Sequence, residues 1–245
     1  QKRETEEHKK KIEELTIANK INSQFIQNMS HEIRTPLNAV VGFSSILSNA
    51  EMAAAMSDEE KQEAMKLIST NANLLTGIVD DILDLSDLQS GKCKIVIDTV
   101  DINDVCKSCI KSVEHRLPGG VEMRFVSDME DTETINSDER RIRQVIINLL
   151  TNACKHTKEG SITLGLTQRS RPGYITLSVT DTGVGIPADK AEIIFERFEK
   201  LNLFSQGSGL GLAICRLVAD MLKGEKRLDT SHTSGGARFV FDIPR

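Results

Sequence analysis

The chain has 245 residues, 39% of them hydrophobic and 27% charged, which accommodates one large soluble domain or two modest ones. Its longest apolar runs fall far short of the roughly 20 residues that cross a bilayer, and the charged start QKRETEEHKKKIEEL has no signal-peptide pattern. A net charge of −5, no Trp and a single Tyr exclude the basic, aromatic-bearing surface of a nucleic-acid binder.

Residues 1–90 hold 9 basic and 15 acidic groups, whereas residues 91–245 hold 22 and 21, so the acidity belongs to the first part. That part reads as helix. Apolar residues at 12, 15, 18, 21, 25, 29, 33, 37 and 40 form one helical stripe. A polar stretch, Ser48 to Ser57, interrupts it, and Ser57-Asp-Glu-Glu60 has the form of a capping box. A second stripe follows at Met65, Ile68, Ala72, Leu75, Val79, Ile82 and Leu85, ending at Ser90-Gly91. Two such helices make a hairpin that cannot cover both stripes alone. A homodimer through residues 1–90, forming a four-helix bundle, is therefore predicted, with 4–29 continuing upstream as a coiled coil.

After Gly91 the period changes. Residues 94–98, 122–126, 161–166, 174–179 and 238–243 read as strands, with helical runs at about 101–116, 138–155 and 210–222. The fold class is α+β multidomain: a helical hairpin over 1–90, then an α/β sandwich over 91–245. The five cysteines (93, 106, 109, 154, 215) include only one metal-type spacing, Cys106-Lys-Ser-Cys109, and read as reduced thiols of a cytoplasmic protein.

Candidate chemistry lies on the polar side of these elements. His31 points about 200° from the stripe residue Met29, among Gln27, Asn28, Arg34, Thr35 and Asn38. A neutral exposed imidazole is a nucleophile, Glu32 can accept its proton, and Thr35 can hold a water. Pro36 removes a helical hydrogen bond and is expected to kink the helix. Taken alone, His31 reads more readily as an ordinary surface histidine.

Asn148, Asn152 and Lys155 recur at helical spacing, where two amides and an ammonium suit Mg²⁺ and phosphate, or simply a solvated face. Asp181-Thr-Gly183-Val-Gly185 follows a strand, so the carboxylate can accept from an exocyclic amine while the glycines admit a flat ligand; a plain turn has the same signature. Gly207-Ser-Gly209-Leu-Gly211 opens a helix, a setting that suits phosphate. It is neither a Walker nor a Rossmann motif.

In this order the motifs resemble those of sensor histidine kinases of two-component signalling. Ser30–Leu37 is similar to the H-box, Asn148–Thr157 to the N-box, Asp181–Pro187 to the G1 box, Phe195-Glu-Arg-Phe198 to the F-box and Gly207–Gly211 to the G2 box. The resemblance implies a dimerisation and histidine-phosphotransfer hairpin followed by a Bergerat-type ATP-binding domain. It implies that His31 takes the γ-phosphoryl group of ATP with Glu32 as base, and that Thr35 positions a water for dephosphorylating a partner. Asn152 would hold Mg²⁺ with Asn148 beside it, and Lys155 would meet phosphate. His156, where the family often has Tyr or Phe, would touch the nucleotide. Asp181 would bind the adenine amine, with Gly183 and Gly185 shaping the pocket. Gly207, Gly209 and Gly211 would hinge the lid, and Arg197 would stabilise the transferring charge. Phe195 and Phe198 are read as core anchors.

The implied partner is the receiver domain of a response regulator, which takes the phosphoryl group on an aspartate. The implied location is cytoplasmic, any membrane being reached through segments outside this chain. ATPases that share the nucleotide fold place a water-activating Glu where this chain has Asn148, so a histidine kinase is favoured over a nucleotide-gated ATPase and over a nucleotide-binding scaffold.

Overall fold

The structure is a computed structural model that describes residues 2–91, 93–130, 133–168, 172–197, 209–232 and 235–245. It has two compact units, Gln1–Asp80 and Asp81–Arg245. The seam expected at residue 91 thus differs from the compact division. The last turns of the second long helix carry buried Leu85 and Leu88 and belong to the second unit.

Helix α1 runs over Lys2–Ser48 and contains Pro36, with no break assigned at the proline. The expected interruption at 48–57 holds a short helix, α2 (Ala50–Ala55), whose N-cap Asn49 accepts from the amides of Glu51 at 3.0 Å and Met52 at 3.1 Å. Helix α3 (Asp58–Gln89) begins with the predicted box: the Ser57 amide donates to Glu60 Oε2 at 2.8 Å, and the Glu60 amide donates to Ser57 Oγ at 3.1 Å. It ends before Gly91, whose φ of +66° is the left-handed turn that glycine adopts without a Cβ clash.

The stripe assigned to α3 needs correction. Of its seven members only Leu85 is buried, and the other buried apolar side chains of the helix are Ala64, Ile78 and Leu88. Met65 (55%) and Val79 (42%) remain exposed, as do Leu37 (43%) and Val41 (55%) of α1. The buried apolar positions of α3, 64, 78, 85 and 88, thus lie beside the expected stripe, which they share only at Leu85.

The second unit starts with β1 (Asp98–Asp101), not with the strand expected over 94–98. The Lys94–Ile97 run has the right composition but no strand beside it. Its Val96 amide donates instead to Asp138 Oδ2 at 2.9 Å, and Val96 and Ile97 stay exposed. Helix α4 (Ile102–Val113) is capped by Asp101, which accepts from the Asp104 amide at 2.9 Å. Then follow β2 (Val121–Ser127), β3 (Thr134–Ser137), α5 (Glu139–His156), β4 (Gly160–Thr167), β5 (Tyr174–Asp181), α6 (Gly211–Met221), β6 (Glu225–Leu228) and β7 (Arg238–Pro244).

Strands β1 and β3 pair antiparallel, and the five-stranded sheet has the order β2-β4-β5-β7-β6, with only β2–β4 parallel. Strands β3 and β6 were not anticipated. Each has four residues, and Thr-Ile-Asn-Ser and Glu-Lys-Arg-Leu are too polar and short to stand out.

Registers Leu164↔Val179, Leu166↔Leu177, Val179↔Phe239 and Leu177↔Phe241 align apolar rows on one sheet face. Helix α5, with buried Ile142, Val145, Ile146, Leu149 and Leu150, packs against β4 and β5. Helices α4 and α6 flank it. Among the described residues no helix is long and apolar enough to cross a membrane.

The reciprocal Ser57–Glu60 bonds satisfy two otherwise unpaired helix-start donors. Ser57→Ala is expected to destabilise the hairpin by about 1 kcal/mol and Ser57→Gly by only a few tenths. Chemical denaturation of the three proteins checks this, and equal losses would remove the cap from the account.

Candidate nucleotide site and phospho-acceptor helix

Asp181 closes β5 opposite Ile162, at the end of a row whose other members are apolar. The register therefore carries its carboxylate to the helix side of the sheet, where the residue is 4% exposed. Oδ1 accepts from the Gly183 amide at 2.8 Å and the Ala237 amide at 3.3 Å. Burial raises the carboxyl above its ordinary pKa, against the opposing pull of those two amides and of His156 and His232. An amine that donates to this group recovers part of what desolvation costs, which is the chemistry of an adenine N6 site.

The walls are backbone. A Cβ on Gly183 would lie 2.2 Å from the His156 carbonyl oxygen, and one on Gly236 would lie 1.8 Å from the Asp181 carbonyl oxygen. Gly236 also has φ +76°, and Gly185, at φ +73°, approaches the Gly236 carbonyl. The end of α5, the end of β5 and the segment before β7 thus meet at Asp181, Gly183, Gly185, His156, Gly236 and Ala237. Gly236 and Ala237 were missed by the sequence reading, although the Gly-Gly pair before the last strand was a usable signal. The Thr182 hydroxyl, accepting from the Ser161 amide at 3.0 Å, ties the same loop to β4.

The polar face of α5 is as expected: Asn148 and Asn152 are half-buried and Lys155 is exposed. Asn148 Nδ2 donates to the Gly211 carbonyl at 3.2 Å, joining α5 to the start of α6. Its side chain also bonds to Cys215, a thiol that burial pushes up to about 12. His156 is half-buried. Desolvation draws its imidazole below the ordinary value, opposed by Asp181 and reinforced by Lys155.

Gly209 has φ +67° and Gly211 opens α6. Gly207, Phe198 and the lid segment 199–206 lie outside the described residues. Arg197 is half-buried, with burial lowering its guanidinium, Glu196 raising it and Arg216 lowering it. Phe195 is buried edge-on to Phe239, with ring centroids 6.1 Å apart, and lies under the Lys226 ammonium, consistent with an anchoring role.

His31, Glu32 and Thr35 lie on α1, in the other compact unit. His31 is exposed, as are Gln27, Asn28, Arg34, Thr35 and Asn38, while Glu32 is half-buried and Pro36 buried. The Thr35 hydroxyl donates to the His31 carbonyl at 3.2 Å.

Two family matches lie in tandem on this chain. Residues 21–91 match the His Kinase A (phospho-acceptor) domain, and residues 137–245 match the histidine kinase-, DNA gyrase B-, and HSP90-like ATPase family. The chain is 35% identical over 235 residues to the "Non-motile and phage-resistance protein" of Caulobacter vibrioides, covering 93% of this chain and 27% of that protein. Full-length ShkA in complex with AMPPNP is 30% identical with a TM-score of 0.66, over 88% of this chain and 44% of that one. The histidine kinase ThkA, solved with its response regulator protein TrrA, shares the fold at 24% identity and a TM-score of 0.68, over 98% of this chain and 66% of that one. The chain spans about a quarter to a third of the length of the curated relatives it matches.

A phospho-acceptor hairpin followed by an ATPase-type α/β sandwich defines a phosphotransferase core. The chain belongs to the sensor histidine kinases and carries their catalytic core.

Two tests follow from the buried carboxylate and its walls. Because the folded state holds the Asp181 proton more tightly than the unfolded chain, stability declines as pH rises from the ordinary carboxylate value through the raised one. Asp181→Asn is expected to melt no lower than the parent at pH 7 and to flatten that pH dependence, while ATP binding weakens at least about tenfold. A lower melting temperature in the variant contradicts this. Gly236→Ala is expected to cost roughly 3 kcal/mol or more, because backbone must move. Gly235→Ala, with open space around its Cβ and only a positive φ against it, should cost about 1 kcal/mol. Equal losses in urea unfolding would remove the close approach to Asp181 as the cause.

Proposed function

We propose that this kinase core phosphorylates its own His31 from ATP and passes the phosphoryl group to an aspartate in the receiver domain of a response regulator. A ring nitrogen of His31 attacks the γ-phosphorus, the N–P bond forms as the bond to the β–γ bridging oxygen breaks, and ADP leaves. Glu32 takes the imidazole proton. The receiver carboxylate then attacks phosphorus and the N–P bond breaks, returning His31 to its free form. The observation that carries the reading is the exposure of His31 on the polar face of α1, inside the phospho-acceptor match.

The pocket residues suit the nucleotide. Asp181 offers a buried acceptor for the adenine amine, and Gly183, Gly185 and Gly236 leave no side chain in the way of a flat base. The buried Thr157 hydroxyl has no partner among the described residues, a polar group that a ligand or water would satisfy. Asn148 and Asn152 supply amide oxygens, hard donors that fit Mg²⁺ sharing phosphate and water ligands, and Mg²⁺ would neutralise phosphate charge there. Lys155 and Arg197 contribute cationic charge toward the phosphates, and Gly207, Gly209 and Gly211 hinge the lid.

Position 148 favours a kinase over an ATPase. Its amide is engaged with the Gly211 carbonyl and cannot deprotonate water. The exposed Leu37, Val41, Met65 and Val79 support a homodimer through residues 1–90, with residues 91–245 as the ATP-binding domain. Thr35 gives the same helix a means of holding a water against the phosphorylated receiver, and the chain works in the cytoplasm.

Incubation with γ-labelled ATP and Mg²⁺ tests this. An acid-labile, alkali-stable label is expected on the protein, absent in His31→Gln while ATP binding survives. Label persisting in that variant excludes His31 as acceptor, and phosphate release without label favours an ATPase.

A further inference from the structure

Of the five cysteines, four are buried packing residues. Burial raises the thiols of Cys106, Cys109, Cys154 and Cys215, with Cys109 pushed to about 11. Cys93 differs. It is half-buried in the segment between α3 and β1, and its sulfur accepts a hydrogen bond from Nη2 of Arg141.

Arg141 belongs to the first turn of α5 and is 3% exposed. Its side-chain bonds go to two uncharged groups, Cys93 Sγ and Gln144 Oε1, the latter at 2.7 Å. Its Nε–H is buried and has no acceptor among the described residues. A guanidinium so enclosed, with one donor unused and its fork on a sulfur, is short of negative charge and of one oxygen acceptor. Oxidation of that sulfur supplies both.

We propose that Cys93 is a peroxide-reactive thiol, a modification site in which Arg141 holds the oxidised sulfur. The sulfur attacks one oxygen of hydrogen peroxide, an S–O bond forms and the O–O bond breaks. The thiol proton passes to water before the attack, so the sulfur reacts as the thiolate; sulfur is oxidised by two electrons to the sulfenic acid, and the departing hydroxide takes that proton back from the hydronium and leaves as water. The guanidinium stabilises the negative charge that the sulfur carries in the attack, and the new oxygen is an acceptor for the fork that contains the unused Nε–H. Gln144, the other partner of Arg141, donates to Asp84 Oδ2 at 2.8 Å, so the modified sulfur joins a polar chain running from the 93–97 segment to the last turns of α3. The proposal is independent of the phosphotransfer reading, since none of these residues takes part in it.

The test is timed exposure of the full chain to hydrogen peroxide with dimedone, which traps sulfenic acids, followed by peptide mass mapping. Cys93 is expected to gain the adduct at least about tenfold faster than any other cysteine and faster than Cys93 of the same chain in urea, with loss of the signal in Cys93→Ser. Arg141→Met that still melts cooperatively is expected to slow labelling about tenfold. Cys93 reacting no faster in the native chain than in urea overturns the proposal, and that comparison decides the matter if Arg141→Met does not fold. A folded Arg141→Met labelled at the parental rate overturns it equally.

Discussion

A carboxylate held inside the sheet–helix interface organises the second unit. Asp181 occupies a position that the strand register gives to an apolar side chain, directly across from Ile162. A charge there must be answered locally, and backbone amides answer it: Gly183 from the loop that follows and Ala237 from the segment entering β7. For both amides to reach one oxygen, two loops must crowd against the strand end. The glycines at 183 and 236 are consequences of that crowding, since a methyl group at either would overlap a carbonyl oxygen. What remains is a group still raised by burial, poised to accept from a ligand donor. The site is thus maintained at some expense to the fold that contains it.

Helix α5 connects this carboxylate to the rest of the unit. Its first turn is fixed by Asp138, which caps the Arg141 amide with one oxygen and receives the Val96 amide with the other. Its apolar side fills the core, and its polar side presents Asn148, Asn152 and Lys155 in succession. The last turn delivers the His156 carbonyl to Gly183. One rigid element therefore sets the spacing between the amides and the glycine wall at Gly183. Asn148, bonded to the carbonyl of Gly211, extends that frame to the start of α6. The glycine-rich segment before α6 is anchored at its downstream end by α5.

Elements with a strong period were legible in the sequence. The central strands, α5, α6, the Ser57 box and the Gly91 stop all depend on local pattern and appear within a residue or two of expectation. Failures came where pattern and partner disagree. Lys94–Ile97 has the composition of a strand, but pairing starts only at Asp98↔Ser137. The α3 stripe missed Ala64 and Ile78, which are buried although their neighbours Met65 and Val79, members of the stripe, are exposed. Asp181 and Gly183 were found because a carboxylate followed by glycines is a local motif. Gly236 was not: the Gly-Gly pair marks a turn locally, but the partner that requires it, Asp181, lies 55 residues away.

The helix that carries His31 combines an exposed polar side with a buried proline one turn further on. Pro36 has no amide proton, so the carbonyl of Glu32 lacks its helical donor. One residue earlier, the Thr35 hydroxyl donates to the His31 carbonyl, adding a donor to that carbonyl. Thr16, Ser30 and Ser45 make the same back-bond elsewhere in α1, so the missing Pro36 donor is what sets this turn apart, although the helix continues to Ser48. Pro36 itself is buried, which ties this unusual turn to the packed side while His31 faces solvent. Anchoring the turn through Pro36 lets the imidazole stay exposed without giving up the packing that holds α1 in place.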